Sequence, residues 1–154
     1  MPRQMCTFWV GDLYLGVDVG SVQEVLRLET FTPVPLAPAA VLGLINLRGR
    51  IVTAIDLRRQ LGVVKEDRPA RQMNLILADS TGLSLVVDRV GDVAHVSEVD
   101  FEEPPDTLRG RSRRLIRGAY KLQERLLLVL DMNEALRCDE GEEADLEGDR
   151  GRRR

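Results

Sequence analysis

The chain has 154 residues, which suits one domain or two very small ones that share a core. Hydrophobic residues make up 44% and aromatic residues only 4%, so the core must be built from Val, Leu and Ile. The 22 basic and 25 acidic residues give a net charge of −3, without the basic excess that is typical of nucleic-acid-binding domains.

Cysteine spacing and hydropathy exclude further classes of protein. Cys6 and Cys138 lie at opposite ends of the chain and form no CxxC pair, which argues against a disulfide framework or a zinc site. No apolar run approaches the roughly 20 residues that span a bilayer. The first twelve residues lack the apolar core of a signal peptide. These patterns predict a soluble, cytoplasmic protein without direct membrane insertion.

Short strands are predicted at the start of the chain. Residues 7–10 and 13–19 flank Gly11-Asp12, which suits a tight hairpin with positive φ at its first turn position. Residues 21–28 fit a helical face or an alternating strand; we expect a strand, with at most one helical turn before it, because the segment is short and β-branched. Residues 31–38 contain three prolines and are predicted to form an extended crossing loop.

A central hairpin is predicted over residues 41–57. Two apolar strands meet at Gly49-Arg50, and Asp56 is placed to cap a short helix that Gly62 ends. A charged loop follows over residues 65–72.

The second half is predicted to form two more hairpins and a tail. Strands are expected at 73–79 and 83–90, at 93–96 as an edge or bent strand, and at 116–122 and 125–130, with Asp131 capping a last helical turn. Residues 100–114 form a polar segment that ends in RGRSRR. Residues 139–154 contain too few apolar side chains to bury the surface that would offset the entropy lost on ordering. They are predicted to be a disordered charged tail.

An internal repeat relates the two halves. Residues 50–61 align with 125–136 so that Asp56 meets Asp131, and upstream Gly43 meets Gly118 at the same spacing. Each unit is too short for a core of its own. We therefore predict a mainly β fold of two packed small barrels, since closing a sheet removes its exposed edges.

No constellation in the sequence indicates catalysis. His95 lies among apolar residues without a cysteine or acid partner, and Asp56 and Asp131 fall where helix caps are expected. Asp88 fits either a cleft or a solvated strand end. RGRSRR is predicted to be a solvated loop rather than a phosphate site. Catalytic, nucleotide-binding and metal-binding motifs are missing, so we expect a protein that is not an enzyme and uses no metal or cofactor.

Several motifs occur together at a specific mutual spacing. They are Val22-Gln23-Glu24-Val25, Val34-Pro35-x-x-Pro38, GLINLRG from Gly43 to Gly49, Ile55-Asp56-Leu57, Val86-Val87-Asp88-x-Val90, Ile116-x-Gly118 and Leu128-x-Leu130-Asp131. In combination they resemble the CheW family of chemotaxis coupling proteins from about residue 7 to residue 137.

The resemblance implies a fold and a function. The fold is two SH3-like five-stranded barrels over residues 5–138, the first mostly about 20–70 and the second mostly about 71–137 with help from the N-terminal strands. The function is a non-enzymatic adaptor between a CheA-type histidine kinase and methyl-accepting chemoreceptors, at receptor arrays on the inner face of the membrane. Divergent members of the family serve gliding, twitching or other non-flagellar pathways. An adaptor of such a pathway is therefore the alternative function.

The resemblance also assigns surfaces. The strand with Val22 and Glu24 is expected to bind the regulatory domain of the kinase. The hairpin tip of the receptor is expected to bind at a groove between the barrels, near Gly43, Arg48, Val87 and Val90, and the turn that carries Arg48 adds Asn46 and Gly49.

Two departures from the family pattern stand out. Thr53 occupies a position where the family usually has proline, and neither RGRSRR nor the charged tail is a family feature. We further hypothesise that Glu24 and Arg48 pair across the first barrel, because both are charged residues in otherwise apolar strands; the alternative is two independent charges facing solvent.

Overall fold

Twelve strands and three short helices make up the described chain. The computed structural model describes residues 2–28, 30–63, 71–78 and 82–138. The strands are β1 (Pro2–Val10), β2 (Leu13–Asp18), β3 (Val22–Arg27), β4 (Val41–Leu47), β5 (Arg50–Asp56), β6 (Met73–Leu77), β7 (Leu83–Val87), β8 (Arg89–Val90), β9 (Ala94–Ser97), β10 (Phe101–Glu102), β11 (Ile116–Lys121) and β12 (Leu126–Leu130). The helices are α1 (Leu57–Leu61), α2 (Gly110–Leu115) and α3 (Met132–Ala135).

The strands form two sheets that carry the same arrangement. One sheet has the order β3-β6-β7-β5-β4, and the other has the order β10-β11-β12-β2-β1-β8 with β9 also paired to β1. Each sheet contains one parallel pairing, β5 with β7 and β12 with β2, among antiparallel neighbours. The predicted mainly β fold of two packed barrels, built on a repeat, is confirmed.

In each repeat the first hairpin pairs with the sheet formed mainly by strands of the other repeat. The hairpin of β1 and β2 joins β8 to β12, whereas the hairpin of β6 and β7 joins β3, β4 and β5. The sequence prediction placed residues from about 71 onward in the second barrel, but strand pairing places residues 73–87 in the first. This exchange ties the two barrels together, because neither sheet is complete without strands from both halves of the chain.

The turns and caps follow the local sequence signals. Gly11 has φ of +58° at the predicted hairpin turn, and a 3₁₀ turn precedes β3. Asp56 caps α1 by accepting from the Arg58 amide (3.1 Å), and Gly62 ends that helix in the left-handed region. Asp131 caps α3 in the same way through the Glu134 amide (3.2 Å). Both predicted caps are confirmed.

The turn of the central hairpin lies one residue earlier than predicted. Arg48 and Gly49, rather than Gly49 and Arg50, are the central pair, with φ of +51° and +85°. Two successive positive φ values are the signature of the two-residue turns whose twist suits a β-hairpin. Thr53, where the resemblance leads one to expect proline, donates its amide to Gly82 O (2.8 Å), a bond that proline cannot make.

The basic segment RGRSRR is helical and not a solvated loop. Residues 110–115 form α2, whose Leu115 is buried. Ser112 Oγ donates to Leu61 O (2.8 Å) and Arg111 donates to Arg59 O (3.1 Å), so α2 lies against α1. These tertiary contacts stabilise a helix too short and too polar to show a periodic pattern.

The core runs through both barrels. One large cluster joins β1 and β2 with β5, β7 and the helices, and a smaller cluster lies around Tyr120 and Leu127. Among the described residues no helix is long and apolar enough to cross a membrane. The predicted loop over 65–72 lies mostly outside the described residues, as do the turn residues Ser80 and Thr81 and the tail from residue 139.

Candidate functional site

A bidentate ion pair joins the strand β3 to the turn between β4 and β5. Arg48 donates to both carboxylate oxygens of Glu24, at 3.1 and 2.6 Å. Arg48 has a positive φ in this turn, which Asn46 stabilises because its Oδ1 accepts from the Gly49 amide (3.0 Å). The pairing hypothesis is confirmed. Because the Arg48 side chain is 66% exposed, the pair contributes little to folding by itself.

A groove opens beside this ion pair between the two end strands of the five-stranded sheet. Its volume is about 480 Å³, and it is lined by side chains of β3, β4 and β6 and by the loop before β4, including Leu26, Phe31, Leu44, Asn46 and Ile76. Within the described residues only the bridge between Thr32 and Leu44 covers the outer edge of β4. Unpaired strand edges beside apolar side chains are surfaces on which proteins bind extended segments.

The other residues predicted to bind partners differ in their exposure. Val22 is half-buried on β3 and packs against the core, and Val90 is half-buried on β8 beside Phe8. Val87 is fully buried, so its side chain offers no surface to a partner. Gly43 is also buried, and a Cβ added at this position would lie only 2.5 Å from Thr32 O. Neither residue offers an exposed side chain in this structure, and receptor binding at Gly43 and Val87 stays a prediction.

A buried ion pair lies where the chain passes from one sheet to the other. After β7 ends, Asp88 accepts from Arg58 Nε (2.8 Å) and Nη2 (2.7 Å) and from the Gly11 amide (2.7 Å). The side chains of Arg58 and Asp88 are 2% and 7% exposed. Asp88 is therefore neither in a cleft nor at a solvated strand end; it joins α1, β7 and the β1–β2 hairpin.

The acidity of Asp88 reflects this environment. Burial alone would raise the pKa of Asp88, but the hydrogen bonds from Arg58 and the Gly11 amide, with the charge of Arg58, outweigh it, so the pKa lies below its ordinary value. A carboxyl group whose pKa is lowered by folding stabilises the protein fully above its unfolded pKa. That contribution is lost as the pH falls from there through the folded-state pKa.

We expect the carboxyl carbon of Asp88 to titrate, in a ¹³C NMR experiment, below the ordinary value of about 3.9 for aspartate. The free energy of unfolding should fall over the same acidic range. Titration of Asp88 at or above the ordinary value would contradict a carboxylate held by Arg58.

A cluster of aromatic and arginine side chains lies on the other barrel. Trp9 and Tyr14 pair across the β1–β2 hairpin with ring centroids 4.6 Å apart. Arg89 lies over Trp9 at 4.7 Å, and Arg125 lies over Tyr14 at 4.7 Å. A groove of about 300 Å³ adjoins them. None of these residues was predicted as part of a surface. A two-residue turn at Gly11-Asp12, as predicted, does place Trp9 opposite Tyr14.

The described residues contain no group of three or more His, Cys, Asp or Glu side chains that could hold a metal ion. His95 is exposed on β9, opposite Gln4 of β1.

Comparison with known proteins identifies the family. The family model described as CheW-like domain matches residues 4–140. The chain belongs to the CheW family. The chemotaxis protein CheW of Rhizobium meliloti is 31% identical over 143 residues, which cover 92% of each chain, and that of Treponema pallidum is 29% identical over 135 residues, covering 84% of this chain and 79% of that one.

A solved structure supports the fold of this CheW-like domain. The scaffolding protein TtCheW from Thermoanaerobacter tengcongensis superposes with a TM-score of 0.73 at 24% identity, and the match covers 89% of each chain. The likeness shows that this chain shares the fold of that scaffolding protein.

Proposed function

We propose that the chain is a non-enzymatic adaptor that couples chemoreceptors to a CheA-type histidine kinase. The observation that carries this proposal is the match of the CheW-like domain to residues 4–140, nearly all of the described chain. The relatives named chemotaxis protein CheW support the pathway, and the likeness to TtCheW, a scaffolding protein, supports the scaffolding role. Such an adaptor works in the cytoplasm, at receptor arrays on the inner face of the membrane.

The proposed kinase and receptor surfaces meet at one ion pair. We place the kinase regulatory domain against Val22 and Glu24 on β3, and the receptor hairpin tip against Asn46, Arg48 and Gly49, with Val90 at its margin. Glu24 belongs to the first surface and Arg48 to the second, yet their side chains are bonded at 2.6 Å. A partner that covers either residue must take the ion pair out of water or break it. The pair therefore offers a physical route by which binding of one partner changes the affinity for the other.

We expect Glu24→Ala and Arg48→Ala each to weaken binding of the kinase regulatory domain by roughly 5- to 30-fold, which corresponds to about 1–2 kcal/mol. The double variant should lose much less than the sum of the two, because each single change already breaks the pair. Calorimetric titrations of the four proteins complete the double-mutant cycle.

The matched control is Arg117→Ala, which removes an exposed arginine from β11, in the other sheet. It should bind within about twofold of the unmodified protein, as expected for a peripheral side chain. Additive losses in the double variant would show that Glu24 and Arg48 act independently.

An adaptor of a non-flagellar pathway is the alternative. The chain is 34% identical over 105 residues to protein FrzA of Myxococcus xanthus, which covers 67% of this chain and 65% of that one. The two outputs separate in a deletion strain: loss of directed swimming favours the first, and loss of movement on surfaces with normal swimming favours the second.

A further inference from the structure

Helix α2 presents a basic surface that the adaptor function leaves unexplained. Residues 109–114 carry four arginines, of which Arg109, Arg113 and Arg114 are exposed. In the part of the chain that the structure describes, none of these three forms an ion pair with a carboxylate; Arg113 donates only to the backbone oxygens of Pro104 and Pro105. Like charges gathered on so short a helix repel each other, which makes an acidic partner favourable.

The chain carries such an acidic segment directly after the described residues. Residues 139–149 contain seven carboxylates and no basic residue, and four arginines follow from residue 150 onward. The seven carboxylates of this segment outnumber the four arginines of residues 109–114, so the segment carries enough negative charge to neutralise them.

The residues directly before this segment are held by helix α1, which also contacts α2. Gln60 on α1 donates to Ala135 O (2.8 Å) and Arg137 O (2.9 Å) and lies 3.8 Å from Cys138 Sγ. One residue further along α1, Leu61 O accepts from Ser112 of α2 (2.8 Å). Carboxylates in the segment therefore begin one residue after a position fixed beside the basic helix.

The length of the segment suits the distance. Eleven residues reach at most about 36–40 Å, while α2 is only about 9 Å long. A short tether of this kind holds its carboxylates near α2 at an effective concentration in the millimolar range. Several ion pairs formed by one tethered segment then add their individually small contributions.

We propose that the acidic segment 139–149 docks on the arginines of α2 and shields them from other acidic partners. The occupant of this basic surface is thus a segment of the same chain. The proposal does not depend on which chemosensory pathway the adaptor serves.

The test compares the amide NMR signals of the full chain with those of a chain that ends at Cys138. We expect the amides of Arg113 and Arg114 to shift between the two proteins at low salt. The shift should disappear in 1 M NaCl, where the Debye length falls to about 3 Å. It should also disappear when the seven carboxylates are replaced by their amides, Asp→Asn and Glu→Gln.

Two charge reversals provide the control. Arg113→Glu combined with Arg114→Glu should abolish the salt-dependent difference between full and shortened chains, read at Ser112 and Leu115. Arg27→Glu, the same change on an exposed arginine of β3, should leave it intact. Identical α2 signals in the full and shortened chains at low salt would overturn the proposal. Salt-dependent binding of a DNA duplex or of phosphatidylserine vesicles, equal in both chains, would overturn it in favour of an external partner.

Discussion

Arg58→Ala should destabilise the fold by about 3–5 kcal/mol, the cost of leaving a buried carboxylate without its partner. Asp88 keeps the Gly11 amide as a donor but loses both bonds from the guanidinium. The ion pair joins α1 and β7 to the β1–β2 hairpin, so its loss loosens the junction between the barrels. Urea denaturation at neutral pH measures the change in the free energy of unfolding.

Two further variants separate the charge effect from packing. Arg58→Met with Asp88→Leu replaces both charges by apolar side chains and should recover a large part of the stability, because no unpaired charge remains buried. Arg27→Ala removes an exposed arginine and should change stability by less than about 0.5 kcal/mol. A loss below about 1 kcal/mol for Arg58→Ala would show that the ion pair does not hold the junction.

The second large effect is expected at the paired glycines of the repeat. Gly43 lies at a bulge in β4 under Thr32 and Phe31, and Gly118 lies at the matching bulge in β11 under Phe101 and Glu102. A Cβ at Gly43 would approach Thr32 O to 2.5 Å, and one at Gly118 would meet the Glu102 carbonyl at 2.6 Å. Since backbone must move in both cases, Gly43→Ala and Gly118→Ala should each cost about 1–3 kcal/mol.

Gly20→Ala is the matched control. A Cβ there would meet only the end of the Asp18 side chain at 3.3 Å, so the variant should unfold within about 1 °C of the unmodified protein, against at least about 2–4 °C for each kcal/mol lost at the crowded glycines. Thermal unfolding followed by circular dichroism compares the three variants. If Gly43→Ala and Gly118→Ala unfold at the same temperature as Gly20→Ala, the two bulges are not crowded in the way that the structure indicates.

Local signals in the sequence predicted most of the strands. Each hairpin combines short apolar runs with a turn residue that tolerates positive φ, such as Gly11 or Gly49, and the helices α1 and α3 begin at an aspartate cap. The repeat extended these local signals to the whole chain, because Asp56 and Asp131 occupy equivalent places in two similar units. Periodicity and capping are properties of neighbouring residues, so they can be interpreted without the fold.

Long-range pairings could not be predicted in this way. The exchange of hairpins between sheets depends on which strand edges meet, and apolar strands of similar length give no unique answer. Arg58 is one arginine of an RR pair in α1, and only the tertiary fold shows that it, rather than Arg59, meets Asp88. The Glu24–Arg48 pair is the exception: we predicted it because both are charged residues in otherwise apolar strands of one barrel.

The candidate site was predicted in part for the same reason. Asn46, Arg48 and Gly49 lie in a polar break in an apolar hairpin, a local feature that marks an exposed turn. Gly43 and Val87 belong to apolar runs, where sequence alone does not separate a residue facing a partner from one facing the core.

The adaptor function is tested most directly by a three-component sedimentation experiment. A CheA-type kinase encoded beside this chain is mixed with a receptor fragment that contains the cytoplasmic hairpin tip, with and without the protein. We predict that kinase and receptor fragment sediment together only when the protein is present, and that calorimetry gives micromolar affinity for the kinase regulatory domain. Arg48→Ala should reduce the complex, while Arg117→Ala, on β11 of the other sheet, should not. Failure of the protein to bind either component, with the protein folded, would contradict the proposed coupling function.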